Sequence, residues 1–362
     1  MARRVTSFEV ARRAGVSRSA VSRCFTDGAS IAPETRDRVM EAATALGYRP
    51  NAIARSLITS RSRMIAVVMG HLANPFYPDL LARLSAVLQQ RGYRLLLFTG
   101  APDASADPLV AQILPYQVDG IVLASTTLSS GLADECAAAG IPVVLINRTA
   151  DRAHVSSVAS ANLDGGRLVA QFLLAGGHER FGFIAGTEAS STNRDRERGY
   201  RAVLTEAGAG PVARAVGAYS QEGARAAARA LLRARPLPDA LFCANDHMAI
   251  AVMDVARHEL GLRVPEDLSV VGFDDAPPAA WASYGLTTVE QPVAPMVDAA
   301  VDILLGQIEG KERPAHHVAL AGALVVRDSA RRPAFGLVRD NDRTIWAPKA
   351  GASPAGEGRT HE

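Results

Sequence analysis

The chain has 362 residues, 48% hydrophobic and 21% charged, with a net charge of +2, the composition of a soluble globular protein of two or three domains rather than of a disordered or fibrous one. No stretch approaches about 18 unbroken apolar residues, so no membrane span is expected, and no apolar run precedes the first helix, so no export signal is expected. Three cysteines, Cys24, Cys136 and Cys243, stand at unrelated spacings, which indicates neither a disulfide frame nor a zinc site and fits reduced thiols in the cytoplasm.

Thr6 followed three residues later by Glu9 is a capping box that starts a first helix. Val10, Ala11 and Ala14 give it one apolar stripe and Gly15 ends it. Ser17 caps a second helix from Arg18 to about Phe25, with Val21 and Cys24 facing inward. Helix, short turn and helix form a helix-turn-helix. Arg18, Ser19 and Arg23 remain on the outer face of the second helix. Arg offers a fork to guanine in the major groove of DNA, and Ser can meet a base edge or a phosphate. Pro33 opens a third helix with Val39, Ala42, Ala43 and Leu46 inside and Gly47 at its end. Residues 1–63 hold twelve arginines, no lysine and five acids, a net +7 that leaves −5 for the remainder. A small basic unit on a mildly acidic body is the electrostatic footprint of a DNA-binding head. Residues 48–63 read as a linker. The segment NAIARSLITSRSR has too little apolar surface to fold alone, so it is expected to be disordered or loosely held off DNA.

From Met64 the pattern changes. Apolar runs at 64–69, 94–98, 120–124, 142–146, 181–185, 240–244 and 269–273 alternate with helical stretches near 77–91, 106–117, 130–139, 164–176, 194–208, 221–234 and 246–260. Near-continuous apolar strands between amphipathic helices imply buried parallel sheets covered on both faces. The units are too many for one sheet of ordinary size, so two sheets are expected, divided near Asn162 with a return near Gln291. After about Pro333 the chain is rich in Gly, Pro, Ala and charge and shows no period. A disordered tail over 334–362 without a coiled coil is expected there.

The runs VARRAGVSRSAVSR, PETRDRV, LGYRPNAIARSL and NPFYPDL resemble the LacI/GalR family of bacterial transcription regulators. The resemblance implies an all-α helix-turn-helix head at 1–49 and a hinge helix and linker at 50–63. It also implies a two-lobed α/β body at 64–333 like periplasmic sugar-binding proteins, built on parallel sheets. One lobe would take 64–161 and 292–321, the other 162–291 and 322–333. DNA contacts would come from Thr6, Ser17, Arg18, Ser19, Ser22, Arg23, Tyr48, Asn51, Ala54, Arg55 and Leu57, with Leu57 as a wedge between base steps. Two departures stand out. Thr26-Asp27-Gly28 replaces the frequent Asn-Gly after the second helix. Ala32 stands where a capping Ser or Thr is frequent, at a cost on the order of 1 kcal/mol.

Ligands of open parallel sheets sit outside the carboxyl ends of the strands. The loops there carry Asn74 to Tyr77, Asn147-Arg148, the run Arg194 to Arg198, Tyr219, Asn245-Asp246 and Asp274-Asp275. Amides, carboxylates, arginines and flat rings suit a polyhydroxylated or anionic small molecule. The resemblance places Phe76, Tyr77, Arg196, Tyr219, Asn245 and Asp274 at the ligand. It also places Asn147 where sugar-binding members often carry Asp, which leaves room for an acidic ligand. Asp246 is expected to cap a helix from His247 and Asp275 to be structural, while Arg194 and Arg198 fit a ligand contact and a solvated face equally. His71 follows the first strand near the cleft and is a candidate to touch the ligand, while the other histidines are scattered. No metal pair, G-x-S-x-G elbow, G-x-G-x-x-G or Walker loop occurs, so no catalytic residue, metal or cofactor is expected.

These features predict a cytoplasmic homodimeric repressor. It would bind a near-palindromic double-stranded operator, with a small metabolite in the interlobe cleft changing its DNA affinity. The alternatives from other classes are a solute-binding protein of the periplasmic type, which the basic head opposes, and an α/β enzyme acting on a small polar metabolite.

Overall fold

The structure, a computed structural model, describes residues 5–25, 29–49, 61–100, 105–124, 129–149, 155–310 and 315–348. The chain divides into two compact units, Met1–Arg63 and Met64–Glu362.

Among the described residues, the first unit has α1 (Ser7–Ala14), α2 (Arg18–Cys24) and α3 (Pro33–Leu46). The Glu9 carboxylate accepts the Thr6 N–H at 2.9 Å, and Ser17 Oγ accepts the Ala20 N–H at 3.2 Å. Gly15 and Gly47 end α1 and α3 in the left-handed conformation. Val10, Ala11, Ala14, Val21, Cys24, Val39, Ala42 and Ala43 form one small core. Two arginines of α3 also hold it. Arg36 donates to Cys24 O at 3.2 Å, and Arg38 donates to Ala14 O through Nε at 3.1 Å and to Gly15 O at 3.0 Å. They satisfy carbonyls that a helix leaves unpaired at its C-terminus and set positive charge against the negative end of the dipole. The hinge positions Asn51, Ala54, Arg55 and Leu57, and the Thr26 to Gly28 loop, lie outside the described residues.

In the second unit the elements run β1 (Met64–Met69), α4 (Phe76–Gln90), β2 (Arg94–Thr99), α5 (Asp107–Ile113), β3 (Gly120–Ala124), α6 (Ser130–Ala138), β4 (Val143–Ile146), β5 (Ser156–Ser160) and α7 (Asn162–Ala175). They continue with β6 (Phe181–Ala185), α8 (Ser191–Glu206), β7 (Ala213–Val216), α9 (Gln221–Arg233), β8 (Ala240–Cys243), α10 (Asp246–Asp254), β9 (Ser269–Asp274) and β10 (Thr287–Glu290). The last are α11 (Val293–Ile308), β11 (His317–Leu320), β12 (Leu324–Val325), β13 (Leu337–Asp340) and β14 (Arg343–Trp346). One sheet has the order β11-β5-β4-β3-β1-β2 and the other β13-β14-β12-β10-β9-β8-β6-β7. The pairings of the first sheet are parallel. The second is parallel from β7 to β10 and antiparallel at β12, β13 and β14. The chain passes between the two lobes at 160–162, 290–293 and 320–324.

The expectation of a disordered tail is corrected over 334–348. β13 and β14 form a hairpin whose inner strand pairs with β12. Trp346 is buried and meets Phe172 edge-on, with ring centroids 5.7 Å apart, and its Nε1–H donates to Phe335 O at 3.0 Å. One large side chain with both ends satisfied anchors strands too short to be stable alone. Residues 349–362 lie outside the described residues.

Helices α7 and α8 cross at glycine contacts. A Cβ on Gly199 would lie 2.0 Å from Leu163 O, and one on Gly166 would lie 2.1 Å from Arg196 O. Those neighbours are backbone and cannot swing away. Gly199→Ala is therefore expected to destabilise the body by about 1–3 kcal/mol, measured by denaturant unfolding. It should also displace Arg196, which the same crossing sets.

Candidate functional site

The carboxyl ends of both sheets converge on a cleft lined by His71, Asn74, Tyr77, Asn147, Arg148, Thr192, Arg196, Tyr219, Asn245 and Asp274. Of the residues expected at a ligand, Tyr77, Asn147, Arg196, Tyr219, Asn245 and Asp274 are brought together there. Phe76 is not among the lining residues. It is 2% exposed in the core of the first lobe and packs edge-on against Tyr77. Its N–H donates to Asn74 Oδ1 at 3.1 Å, which turns the start of α4 so that Phe76 faces inward and Tyr77 faces the cleft.

Four lining residues were not among those the family resemblance places at the ligand: His71, Asn74, Arg148 and Thr192. The first three sit in loops that the sequence marks as strand ends. Thr192 carries no such signal, because only the start of α8 at Ser191 brings it to the rim.

Asp274 is the electrostatic centre. Its Oδ1 accepts Gln291 Nε2 at 2.6 Å and its Oδ2 accepts Asn74 Nδ2 at 3.4 Å. Arg196 Nη1 stands 3.7 Å from the carboxylate. The guanidinium is fixed elsewhere, by Asn162 Oδ1 at 2.8 Å, by Ala244 O at 2.5 Å and by the Phe273 ring, whose centroid is 3.6 Å away. Burial pushes the Asp274 carboxyl up to about 6 and outweighs the opposing pull of Arg196, Gln291 and Asn74. The neighbouring Asp246 is also pushed well up, first by burial and then by Asp274.

Asp246 is not the cap of α10. Asn245 Oδ1 takes that place by accepting the Met248 N–H at 3.0 Å. Asp246 instead turns inward, accepting from Thr288 Oγ1 at 2.6 Å and from the Ala276 N–H at 2.9 Å. Asp275 pairs with Arg327 at 2.8 Å. Arg194 donates to Ala189 O at 2.7 Å and Arg198 meets Asp195 at 3.3 Å, both at the surface.

Contacts between the lobes close the cleft. Asn74 reaches Asp274 as above, and Arg148 donates to Thr192 Oγ1 at 2.8 Å and to Ser190 Oγ. His71 lies between Tyr77 and Tyr219, with both pairs of centroids 6.0 Å apart. The space left is about 10 Å³, roughly what one water needs, so a larger ligand requires the lobes to part or the rings to turn. Non-glycine residues at positive φ gather here: Asn147 (59°), Ala218 (51°), Tyr219 (54°), Asp274 (133°) and Asp275 (53°). Such backbone persists only where its surroundings impose it. Among the described residues, the buried polar atoms of the cleft without a protein hydrogen-bond partner include Asn147 Oδ1, an acceptor, and Arg196 Nη2, a donor.

In the first unit the side chains of Ser17, Arg18, Ser19, Ser22 and Arg23 are exposed along one side of α2 and its cap. The Ser17 and Ser19 hydroxyls are 2.9 Å apart and hydrogen-bonded. Thr6 is exposed, and Tyr48 is half-buried with its ring 5.8 Å from that of Phe25.

Residues 8–51 match the family described as bacterial regulatory proteins, lacI family. Residues 170–330 match a periplasmic binding protein-like domain, a match that ends before the β13–β14 hairpin. The HTH-type transcriptional regulator CelR of Thermobifida fusca is 34% identical over 336 residues, 90% of this chain and 98% of that protein. The structure of a CelR–cellobiose complex superposes with a TM-score of 0.68 at 32% identity, covering 90% of this chain and all of that one. The lac repressor dimer bound to operator and the anti-inducer ONPF superposes with a TM-score of 0.82 at 28% identity, covering 90% of this chain and 99% of that one.

Proposed function

The chain belongs to the LacI family of bacterial regulatory proteins, and on that footing we propose that its cleft takes a polyhydroxylated effector, a sugar or sugar acid, whose binding changes the grip of the helix-turn-helix on its operator. The protein is a ligand-responsive transcription regulator that binds operator DNA as a dimer. The observation that carries the effector class is the pair of unserved buried atoms, Arg196 Nη2 and Asn147 Oδ1. A hydroxyl is donor and acceptor at once, so a polyol can satisfy both. Asp274 and Asn245 add acceptors, and Tyr77 and Tyr219 add flat faces for a sugar ring. The neutral amide at Asn147 tolerates a carboxylate on the ligand. The cellobiose bound by CelR is a precedent for the class.

Ser17, Arg18, Ser19, Ser22 and Arg23 are assigned to the major groove and its phosphates, with Thr6 and Tyr48 at the backbone. Asn51, Ala54, Arg55 and Leu57 are assigned to the minor groove. The interlobe bonds from Asn74 and Arg148 favour one lobe arrangement. An effector shifts that balance only through a difference in affinity for the two arrangements, and couplings of this kind amount to about 1–3 kcal/mol. The ligand is released chemically unchanged, and the protein acts in the cytoplasm at the nucleoid.

The test is a thermal-shift screen of sugars, sugar acids and nucleosides on the full-length protein, with hits retested for operator binding. A ligand at 100 times its Kd stabilises the folded state by about 2.7 kcal/mol. A hit that changes operator affinity and is recovered unaltered supports the reading; a hit that is turned over contradicts it.

Asp274 sets the pH dependence. Its raised pKa contributes stability that is fully present below the ordinary carboxylate range and is lost as pH rises through about 6. Effector binding runs the other way, because a ligand hydroxyl donates best to the ionised carboxylate. Affinity for the effector is expected to fall as pH drops through about 6, and Asp274→Asn should flatten that profile. Calorimetric titration from pH 5 to 8 reads both.

A further inference from the structure

The β13–β14 hairpin does more than cap a sheet edge. Arg343, the first residue of β14, sends its guanidinium across β12 to the carboxylate of Glu290. It stands 4.0 Å from Asp275 and 3.1 Å from Asp340. Each of the first two targets flanks the effector site. Asp275 follows Asp274 directly, and both residues hold positive φ. Glu290 precedes Gln291, whose side chain donates to Asp274 Oδ1 at 2.6 Å and whose N–H donates to Asp274 O at 3.0 Å. Gln291 Oε1 also accepts from Ser160 Oγ at 2.9 Å, at another crossover. In register, Glu290 lies beside Asp274 on neighbouring strands. A Cβ on Gly322 would meet Glu290 O at 1.9 Å, so two crossovers already touch where Arg343 lands.

We propose that Arg343 is a positioning residue of the effector site: it ties the strained Asp274-Asp275 turn to the Glu290-Gln291 crossover and so aims the Asp274 carboxylate. The proposal rests on reading the cleft as the effector site, although one arm of its test does not. The physical need is plain. Asp246, Asp274, Asp275 and Glu290 gather four carboxylates in one region, faced by Arg196, Arg327 and Arg343. Arg196 serves the inner side and Arg327 holds Asp275. Arg343 supplies the charge that spans turn and crossover, and it arrives on an element fastened by Trp346. Without it, like charges on adjacent strands repel, and a backbone held in an unfavourable conformation loses part of what imposes it.

The experiment compares full-length wild type, Arg343→Gln and Arg343→Lys. Hydrogen exchange is followed at Ala276 and Gln291, whose N–H groups bond to Asp246 and to Asp274 O. These amides are expected to exchange about tenfold faster or more in R343Q, with β1, β3 and β6 unchanged, and to recover in R343K. This arm needs no ligand. In the second arm cellobiose is the probe, titrated across pH. R343Q should move the midpoint of its pH-dependent binding upward, since removing a cation favours the protonated acid. Wild-type exchange at Ala276 and Gln291 in R343Q would overturn the proposal, as would uniform acceleration across the lobe, which marks Arg343 as a stabiliser only. If cellobiose binds neither protein, cellobiose is not the effector, and the exchange arm decides the role of Arg343.

Discussion

Replacing Arg196 with methionine is expected to abolish the effector response and to destabilise the body by about 3–5 kcal/mol, the usual result of removing one partner from a buried charge pair. Arg196 is 2% exposed and Asp274 4%, so neither charge recovers its hydration when the other is lost. The substitution also strips donors from Asn162 Oδ1 and Ala244 O, and a buried acceptor left unpaired costs about 1–3 kcal/mol. Methionine keeps much of the volume over the Phe273 ring, so the loss reads polar chemistry rather than a void. Operator binding without sugar should persist, because the first unit has its own core. Denaturant unfolding gives the stability, and operator titration with and without sugar gives the response. Retained sugar response in this variant would remove Arg196 from the site.

The second large effect concerns Arg18. Arg18→Ala is expected to weaken operator binding by about 1–3 kcal/mol and to relax preference at one base position, with a smaller effect on random DNA. The arginines of the head divide into two kinds. Arg36 and Arg38 bond to the carbonyl ends of α1 and α2, so their loss should appear first as lower stability. Arg18 and Arg23 are exposed on α2, so their loss should appear as weaker DNA binding at unchanged stability. Gel-shift titrations on operator and scrambled duplex, paired with thermal unfolding, separate the two kinds. Equal weakening on both duplexes would deny Arg18 a reading role.

The head was legible because its stop and start signals are local. Thr6 with Glu9, Gly15, Ser17, Pro33 and Gly47 act within four residues of where they stand, and each does its expected work. The apolar strands were legible for the same reason. β5 was not, since its sequence SSVAS looks like a loop while all five residues are buried. Its hydroxyls are served by distant partners. Ser156 meets Gln307 and the His316 N–H, Ser157 meets His317, and Ser160 meets Gln291. The hairpin at 337–346 failed in the same way, because its anchor Trp346 finds Phe172 far along the chain.

At the cleft, the residue types and loops were readable but side-chain direction was not. Phe76 and Tyr77 are adjacent, and only the Asn74 turn decides which enters the core. Asn245 and Asp246 are adjacent too, and the one expected to cap α10 instead braces β10 through Thr288. Arg343 could not be found from sequence, since its meaning lies in Glu290 and Asp275.

The most direct measurement of the central claim is binding of the full-length protein to a symmetric duplex enriched by in vitro selection, against a scrambled duplex, over a salt series with and without effector. A dimeric operator-binding regulator shows a specific preference of about 10³-fold or more, a steep loss of affinity with salt, and a change in the preferred complex when a sugar or sugar acid is added. Equal affinity for the two duplexes at every salt and with every ligand would contradict that claim.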